Sequence, residues 1–242
     1  MCRQDTKAVA TALTGALGSK TQITTANEDN CLVRMFDYVL GCLLCDIELA
    51  FLVDSSNKSS SIAWSQMLGY VSDVVRGYNI SPTCVRAAVI RYSNNADAQI
   101  QLNSYSDVDS LVRAIDQIQL LGDGSNLATA LNLLQSQVFS SNNVRSNAMR
   151  VAVIVTDQLQ SSSQITTAAN NVKSQGITVV AVGITGPGRV NTDFMYSLTT
   201  DDSGVLVNDY SRLIPDARNP VVVQYGCVAP PPPRMYTVAL HT

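Results

Sequence analysis

The segment Ile47-Glu48-Leu49-Ala50-Phe51-Leu52-Val53-Asp54-Ser55-Ser56 points to the fold class most directly. A near-continuous apolar run that ends in an acid and two serines reads as a strand covered on both faces, as in a parallel sheet packed between helices. A second run, Val151-Ala152-Val153-Ile154-Val155-Thr156-Asp157, ends the same way. An Asp at the carboxyl end of each strand places two carboxylates at one edge of the sheet, where open α/β folds bind ligands. Two hard oxygen anions with hydroxyls beside them suit a divalent cation such as Mg²⁺.

After this strand, Trp64, Met67, Leu68, Val71, Val74, Val75 and Tyr78 recur at three and four, the period of a helix with one buried face, until Asn79-Ile80-Ser81-Pro82 breaks it. Val85 to Tyr92 predicts a second strand. Ala98 to Leu102 predicts a short third one, joined by the turn at Asn94-Asn95 and therefore an antiparallel edge. Residues 107–119 repeat the helical period. Gly122-Asp123-Gly124-Ser125-Asn126 is a loop, followed by a helix carrying Leu127, Ala130, Leu131 and Leu134. After a Ser/Asn linker at 140–147 come the Val151 strand, a helix over 165–174, a strand over 177–183, a helix near 193–198 and a short strand over 205–208. This alternation predicts a doubly wound α/β fold with a mostly parallel sheet, one short antiparallel edge strand and helices on both faces. Trp64 is expected to anchor the first helix in the core. Of the second strand's arginines, Arg86 is expected to be satisfied in the interior or at an edge, and Arg91 to face solvent.

The 242 residues carry a net charge of −3 and only 14% charged side chains, so there is no basic footprint for nucleic acid. No apolar run is long and clean enough to span a membrane; 36–53 comes nearest but carries Asp37, Asp46 and Glu48. The first 17 residues are short of the strong apolar side chains of a signal peptide, and the true signal is expected upstream. Six cysteines are present. Cys42 and Cys45 have CxxC spacing, but no second pair or histidine cluster completes a zinc site. Cys45 and Cys227 bracket the strand-and-helix region, and a disulfide between them would close the domain at its base in an oxidising, extracellular setting. Cys84 is either a buried thiol or a partner for Cys2, Cys31 or Cys42. The expected organisation is an unassigned segment over 1–44, one domain over 45–227, and a Pro-rich tail or linker over 228–242 containing Pro230 to Pro233.

These segments, from Cys45 through the Asp54 strand, Val85 to Ser93, Gly124 to Leu131 and Val153 to Asp157, resemble the von Willebrand factor type A domain in order and spacing. The resemblance covers 45–227, including the flanking cysteines, and implies a metal-ion-dependent adhesion site built from a D-x-S-x-S motif, a later Thr and a distal Asp. Asp54 and Ser56 match the first two motif positions, Ser125 stands where the Thr would be, and Asp157 matches the distal Asp. Lys58 occupies the third motif position and is a departure. The register holds because Trp64 stands ten residues after Asp54, where the family has an aromatic. An ammonium about 4 Å from a cation costs roughly 4 kcal/mol per unit charge at an effective dielectric near 20. Lys58 therefore either swings to solvent or pairs with Asp54 and Asp157 in place of the ion. Two N-glycosylation sequons, at Asn57 and Asn79, add candidate modification sites.

The resemblance implies an extracellular adhesion module of a matrix protein, binding collagen-like chains, other matrix proteins or itself, with Mg²⁺ (or Mn²⁺ or Ca²⁺) as the cofactor. The alternative is a type A domain of a larger protein, as in complement-type serine proteases, whose activity lies elsewhere and whose surface here works without metal. His241 is the only histidine, so no Ser/His/Asp set is available and the chain is expected not to be an enzyme.

Overall fold

In the computed structural model of the chain, the described residues are 46–56, 61–159, 161–184, 190–200 and, for their backbone, 205–208. In chain order the elements are β1 (Ile47–Asp54), α1 (Ser61–Arg76), β2 (Val85–Tyr92), β3 (Ala96–Ile100), α2 (Val108–Ile115) and α3 (Leu127–Leu133). There follow β4 (Met149–Thr156), α4 (Ser163–Ser174), β5 (Thr178–Ile184), α5 (Thr192–Leu198) and β6 (Val205–Asn208). The six strands order as β3-β2-β1-β4-β5-β6, with only the β2–β3 pair antiparallel. This is the doubly wound, mostly parallel sheet expected, and β3 is its antiparallel edge. It starts two residues earlier than its apolar pattern suggests, because Tyr92 already pairs with Ala96 across the turn closed by Ser93 N–H to Asn95 O at 2.7 Å.

The β1 strand is buried at all eight positions because parallel strands flank it on both sides and helices cover both faces. Leu49, Phe51 and Val53 join α1 and α2 in one apolar layer. Ala50 and Leu52 join α3, α4 and α5 in the other. Each fully buried Leu or Phe contributes about 1.5–3 kcal/mol, so the run that decides the fold also supplies much of its stability. Trp64 is the core anchor expected: it is buried, and its Nε1–H donates to the Ile118 carbonyl at 3.0 Å. Beyond α3 the helix continues as a π-turn over Leu134–Val138, which keeps both Leu134 and Val138 buried despite the extra residue.

Gly183 on β5 marks a close approach of α5. A Cβ there would lie 2.8 Å from Met195 Sδ and 3.1 Å from Val190 Cγ1. Gly183→Ala is expected to destabilise the fold by about 1–2 kcal/mol through overpacking; an unchanged urea midpoint would mean that Met195 yields freely.

At the amino-terminal edge of the sheet, Glu48 is fully buried on β1. Arg86 of β2 meets it with Nε at 2.9 Å, and Arg145, from the segment before β4, donates its Nε–H at 2.8 Å and its backbone N–H at 3.1 Å. Arg145 also holds Asp46 at 3.0 Å and the carbonyls of Ile47 and Cys84 at 3.0 and 2.8 Å. Arg86 is thus the satisfied interior charge expected. Arg91 is not solvent-facing: its side chain is only 12% exposed and pairs with Asp97 at 2.6 Å and the Gln119 carbonyl at 2.7 Å. The edge strand β3 brings Asp97 alongside it, and so supplies the cover that β2 alone lacks.

Cys84 is buried and disulfide-bonded, which settles its thiol-or-disulfide alternative. Its partner lies outside the described residues, as do Cys45 and Cys227 and their expected pairing.

Candidate functional site

Asp54 is the last residue of β1, and with Val53 opposite Val155 the ends of β1 and β4 stand side by side. Thr156 and Asp157 therefore arrive at the edge where Asp54 emerges. The loop carrying Ser125 is pinned to the same edge from two sides. Ser55 accepts Leu121 N–H at 2.7 Å through Oγ and Gly122 N–H at 3.0 Å through its carbonyl, while Asn126 N–H donates to the Ser93 carbonyl at 2.7 Å. Gly122 sits at φ 80°, a left-handed conformation that favours glycine.

The Asp54 carboxylate is fully buried. Its Oδ1 accepts the Ser56 N–H at 3.1 Å; its Oδ2 lies 2.9 Å from Ser125 Oγ and 2.8 Å from Thr156 Oγ1. Thr156 Oγ1 also lies 2.6 Å from the Gln158 carbonyl, so its single proton serves one acceptor at a time. Gln158 in turn donates its side-chain amide to Ser56 Oγ. No cationic side chain pairs with Asp54 among the described residues. Burial pushes its carboxyl up to about 6; the hydrogen bonds from Thr156, Ser125 and Ser56 pull against that shift, and the charge of Asp157 adds to it. Behind it, the fully buried Tyr92 is held well above the usual phenol range, chiefly by burial and next by the Asp54 charge.

The structure thus brings Asp54, Ser56 and Ser125 into one hydrogen-bonded group, with the buried Asp157 one residue beyond the Thr156 that bonds Asp54. Among the described residues no cluster of three or more His, Cys, Asp or Glu exists that could hold a metal. The available donor set is two carboxylates and hydroxyls, hard oxygen chemistry that fits Mg²⁺, Mn²⁺ or Ca²⁺. Lys58 and Asn57 lie outside the described residues. Asn79 is half-buried, and its Nδ2 donates to Cys84 Sγ at 3.4 Å, a contact that a glycan on that nitrogen would displace. Sequence reasoning missed Thr156 and Gln158. The signal available was a hydroxyl at the end of an otherwise apolar strand, directly before Asp157.

A family model described as von Willebrand factor type A domain matches residues 48–217. The Homo sapiens collagen alpha-6(VI) chain is 28% identical over 178 residues, 73% of this chain and 8% of that protein. Matrilin-3 of Mus musculus is 27% identical over 168 residues, 68% of this chain and 35% of that protein. The chain therefore spans well under half the length of these relatives. Among solved structures, proximal thread matrix protein 1 from the mussel byssus, with zinc in its MIDAS motif, superposes with a TM-score of 0.68 at 18% identity, over 76% of this chain and 46% of that one. The manganese-loaded Plasmodium vivax TRAP protein superposes with a TM-score of 0.60 at 16% identity, over 73% of each chain. These superpositions establish the fold.

Proposed function

The chain belongs to the von Willebrand factor type A family, and from that premise we propose that it is a non-enzymatic adhesion module of a secreted extracellular matrix protein. Its domain is taken as 45–227, and its partners as collagen-like chains, other matrix proteins or a second copy. Asp54, Ser56, Ser125 and Asp157 are the residues that would hold a divalent cation, Mg²⁺ first and Mn²⁺ or Ca²⁺ as substitutes. Bound there, the ion would offer a Lewis-acid position to a carboxylate oxygen of the partner.

One observation carries this reading. The same face of β1 buries a carboxylate at each end, and the two are treated differently. Glu48 is neutralised by two arginines, whereas among the described residues Asp54 receives only hydroxyls and an amide. A buried anion without counter-charge is costly, and the cost is relieved when a cation arrives. Thr156 and Gln158 support the arrangement by fixing the oxygens of Asp54 and Ser56. The matrix setting rests on the relatives, collagen VI and matrilin chains. The disulfide at Cys84 suits an oxidising compartment, and no described helix is long and apolar enough to cross a membrane.

Lys58 at the third motif position favours a second reading, in which the ammonium stands in for the ion and recognition uses a metal-free surface. Calorimetric titration of Mg²⁺ and Mn²⁺ into the oxidised chain, beside Asp157→Ala and Lys58→Ser, separates the two. Saturable binding by the parent, lost in Asp157→Ala, is the expected result. Binding that appears only in Lys58→Ser would establish the second reading, and binding by neither would sink the cation altogether.

A further inference from the structure

The loop that carries Ser125 contains an Asp-Gly step, Asp123-Gly124. A step of this kind closes on itself when the amide nitrogen of the following residue attacks the aspartate side chain, and glycine, with no Cβ, lets the two approach. Among the described residues Asp123 is the one aspartate that precedes a glycine. Asp54, Asp97 and Asp109 precede other small residues, Ser55, Ala98 and Ser110.

The fold shuts those three. Asp54 is buried, and the Ser55 N–H is spent on the Tyr92 carbonyl at 2.7 Å. The Asp97 carboxylate is held by Arg91 and by Gln99, each at 2.6 Å. The Ser110 N–H donates to Asp107 Oδ1 at 2.8 Å. Asp123 has none of these restraints. It is exposed and its side chain makes no ion pair or hydrogen bond among the described residues. The Gly124 N–H donates no hydrogen bond among them either.

We propose that Asp123-Gly124 is a site of spontaneous modification, where the folded chain converts aspartate to isoaspartate and so draws Ser125 away from Asp54. The Gly124 nitrogen gives up its proton and bonds to Asp123 Cγ, whose hydroxyl leaves as water, and a five-membered succinimide forms. Water then adds to the former main-chain carbonyl of Asp123 and breaks its bond to that nitrogen. One water is released and one is consumed, so composition is unchanged and no other reactant is needed. The main chain now reaches Gly124 through Cβ and Cγ, longer by one carbon–carbon bond of about 1.5 Å.

The loop has little room for that length. It is fixed before the step by Gly122 N–H on the Ser55 carbonyl at 3.0 Å, and after it by Asn126 N–H on the Ser93 carbonyl at 2.7 Å. Asn94 closes one side of Gly124, where a Cβ would lie 2.3 Å from its Oδ1. Ser125 stands between these anchors, with its Oγ 2.9 Å from Asp54 Oδ2. Hydrogen bonds between oxygens extend to about 3.0 Å, so half of the added length is enough to break this one. The modification stands on the loop alone; its effect on a bound cation rests on the adhesion reading above, in which a domain kept folded for long loses one ligand hydroxyl with age.

The test ages the full oxidised chain for weeks at neutral pH and body temperature in chelator, beside the same chain in urea. Asp123→Glu is the control, since it keeps the charge and closes only through a less favoured six-membered ring. Peptide mapping with fragment ions that separate aspartate from isoaspartate gives the readout. In the folded parent, isoaspartate at Asp123 is expected to exceed that at Asp54, Asp97 or Asp109 by about tenfold or more, because those sites must first open locally. In urea the contrast should shrink. No isoaspartate at Asp123 in the folded chain, or equal amounts at the other three, would overturn the inference. The ¹⁵N amide signal of Ser125 is expected to move in the aged parent and to stay in place in aged Asp123→Glu; a signal unmoved in both would overturn the displacement. The Mg²⁺ affinity of the aged parent, read by calorimetry, should fall about tenfold or more, as when a ligand's support is lost. A fresh parent that takes up no Mg²⁺ would remove the cation reading, while isoaspartate confined to Asp123 would still sustain the site.

Discussion

Replacing Glu48 with glutamine is expected to cost about 3–5 kcal/mol of stability, the penalty for removing one partner of a buried ionic group. That is a large share of the 5–15 kcal/mol typical of a whole domain. Glu48 is fully buried, and both arginines converge on its carboxylate, their side chains 14% and 23% exposed. Glutamine keeps the shape and one carbonyl acceptor, but it turns an amide donor toward two guanidinium groups that have no other carboxylate of equal burial. Arg145 retains Asp46, and Arg86 retains the Asn143 carbonyl, so the loss stops short of an isolated buried charge. Urea unfolding of parent and variant measures it. A difference below about 1 kcal/mol would mean that both arginines reach water once released, as surface ion pairs do.

Asp54→Asn is expected to do the opposite in the absence of divalent cations, raising stability at pH 7 by up to about 3 kcal/mol. Burial lifts the carboxyl from 3.8 to about 6, so between those values the native chain holds a proton that the unfolded chain has released. The contribution of this group to stability is therefore greatest at low pH, falls as pH rises from about 4 to about 6, and is flat above that. Asparagine is neutral throughout and removes the slope. It also fits the site: its Oδ1 can accept the Ser56 N–H, and its amide can donate to Ser125 and Thr156. The Thr156 proton then turns to the Gln158 carbonyl, which is already 2.6 Å away. The same change is expected to abolish Mg²⁺ binding, and in the parent the apparent affinity should fall about tenfold per pH unit below about 6, where Asp54 is protonated. Thermal melts from pH 4 to 8 in chelator, paired with calorimetry, read both effects. A variant less stable than the parent at pH 7 would show that the carboxylate is already compensated.

Much of this was legible in the sequence because burial on both faces writes itself as an unbroken apolar run. β1 and β4 announced themselves in that way, and the three-and-four recurrence from Trp64 announced α1. Asp54, Ser56 and Asp157 were legible because they sit at strand ends, where the fold class alone says ligands go. Glu48 was not. Its partners lie 38 and 97 residues away, and nothing local says that a lone acid in an apolar run will meet them. Arg91 was misread for a related reason, since its cover comes from the edge strand, whose start the apolar pattern misplaced by two residues. Thr156 and Gln158 depend on the register of β4 against β1, and a slip of one residue would turn Thr156 to the other face.

The chain enters the central strand at Asp46, whose carbonyl takes the Met149 N–H at 2.7 Å and whose carboxylate takes Arg145. A pull applied there along β1 would load two parallel ladders in shear, with the guanidinium bonds of Arg145 and Arg86 to Glu48 loaded alongside them. Bonds arranged in this way share tension and yield together, whereas an edge strand peeled sideways gives them up one at a time. At the amino-terminal corner of the domain, extension along β1 is thus resisted by charge as well as by the sheet.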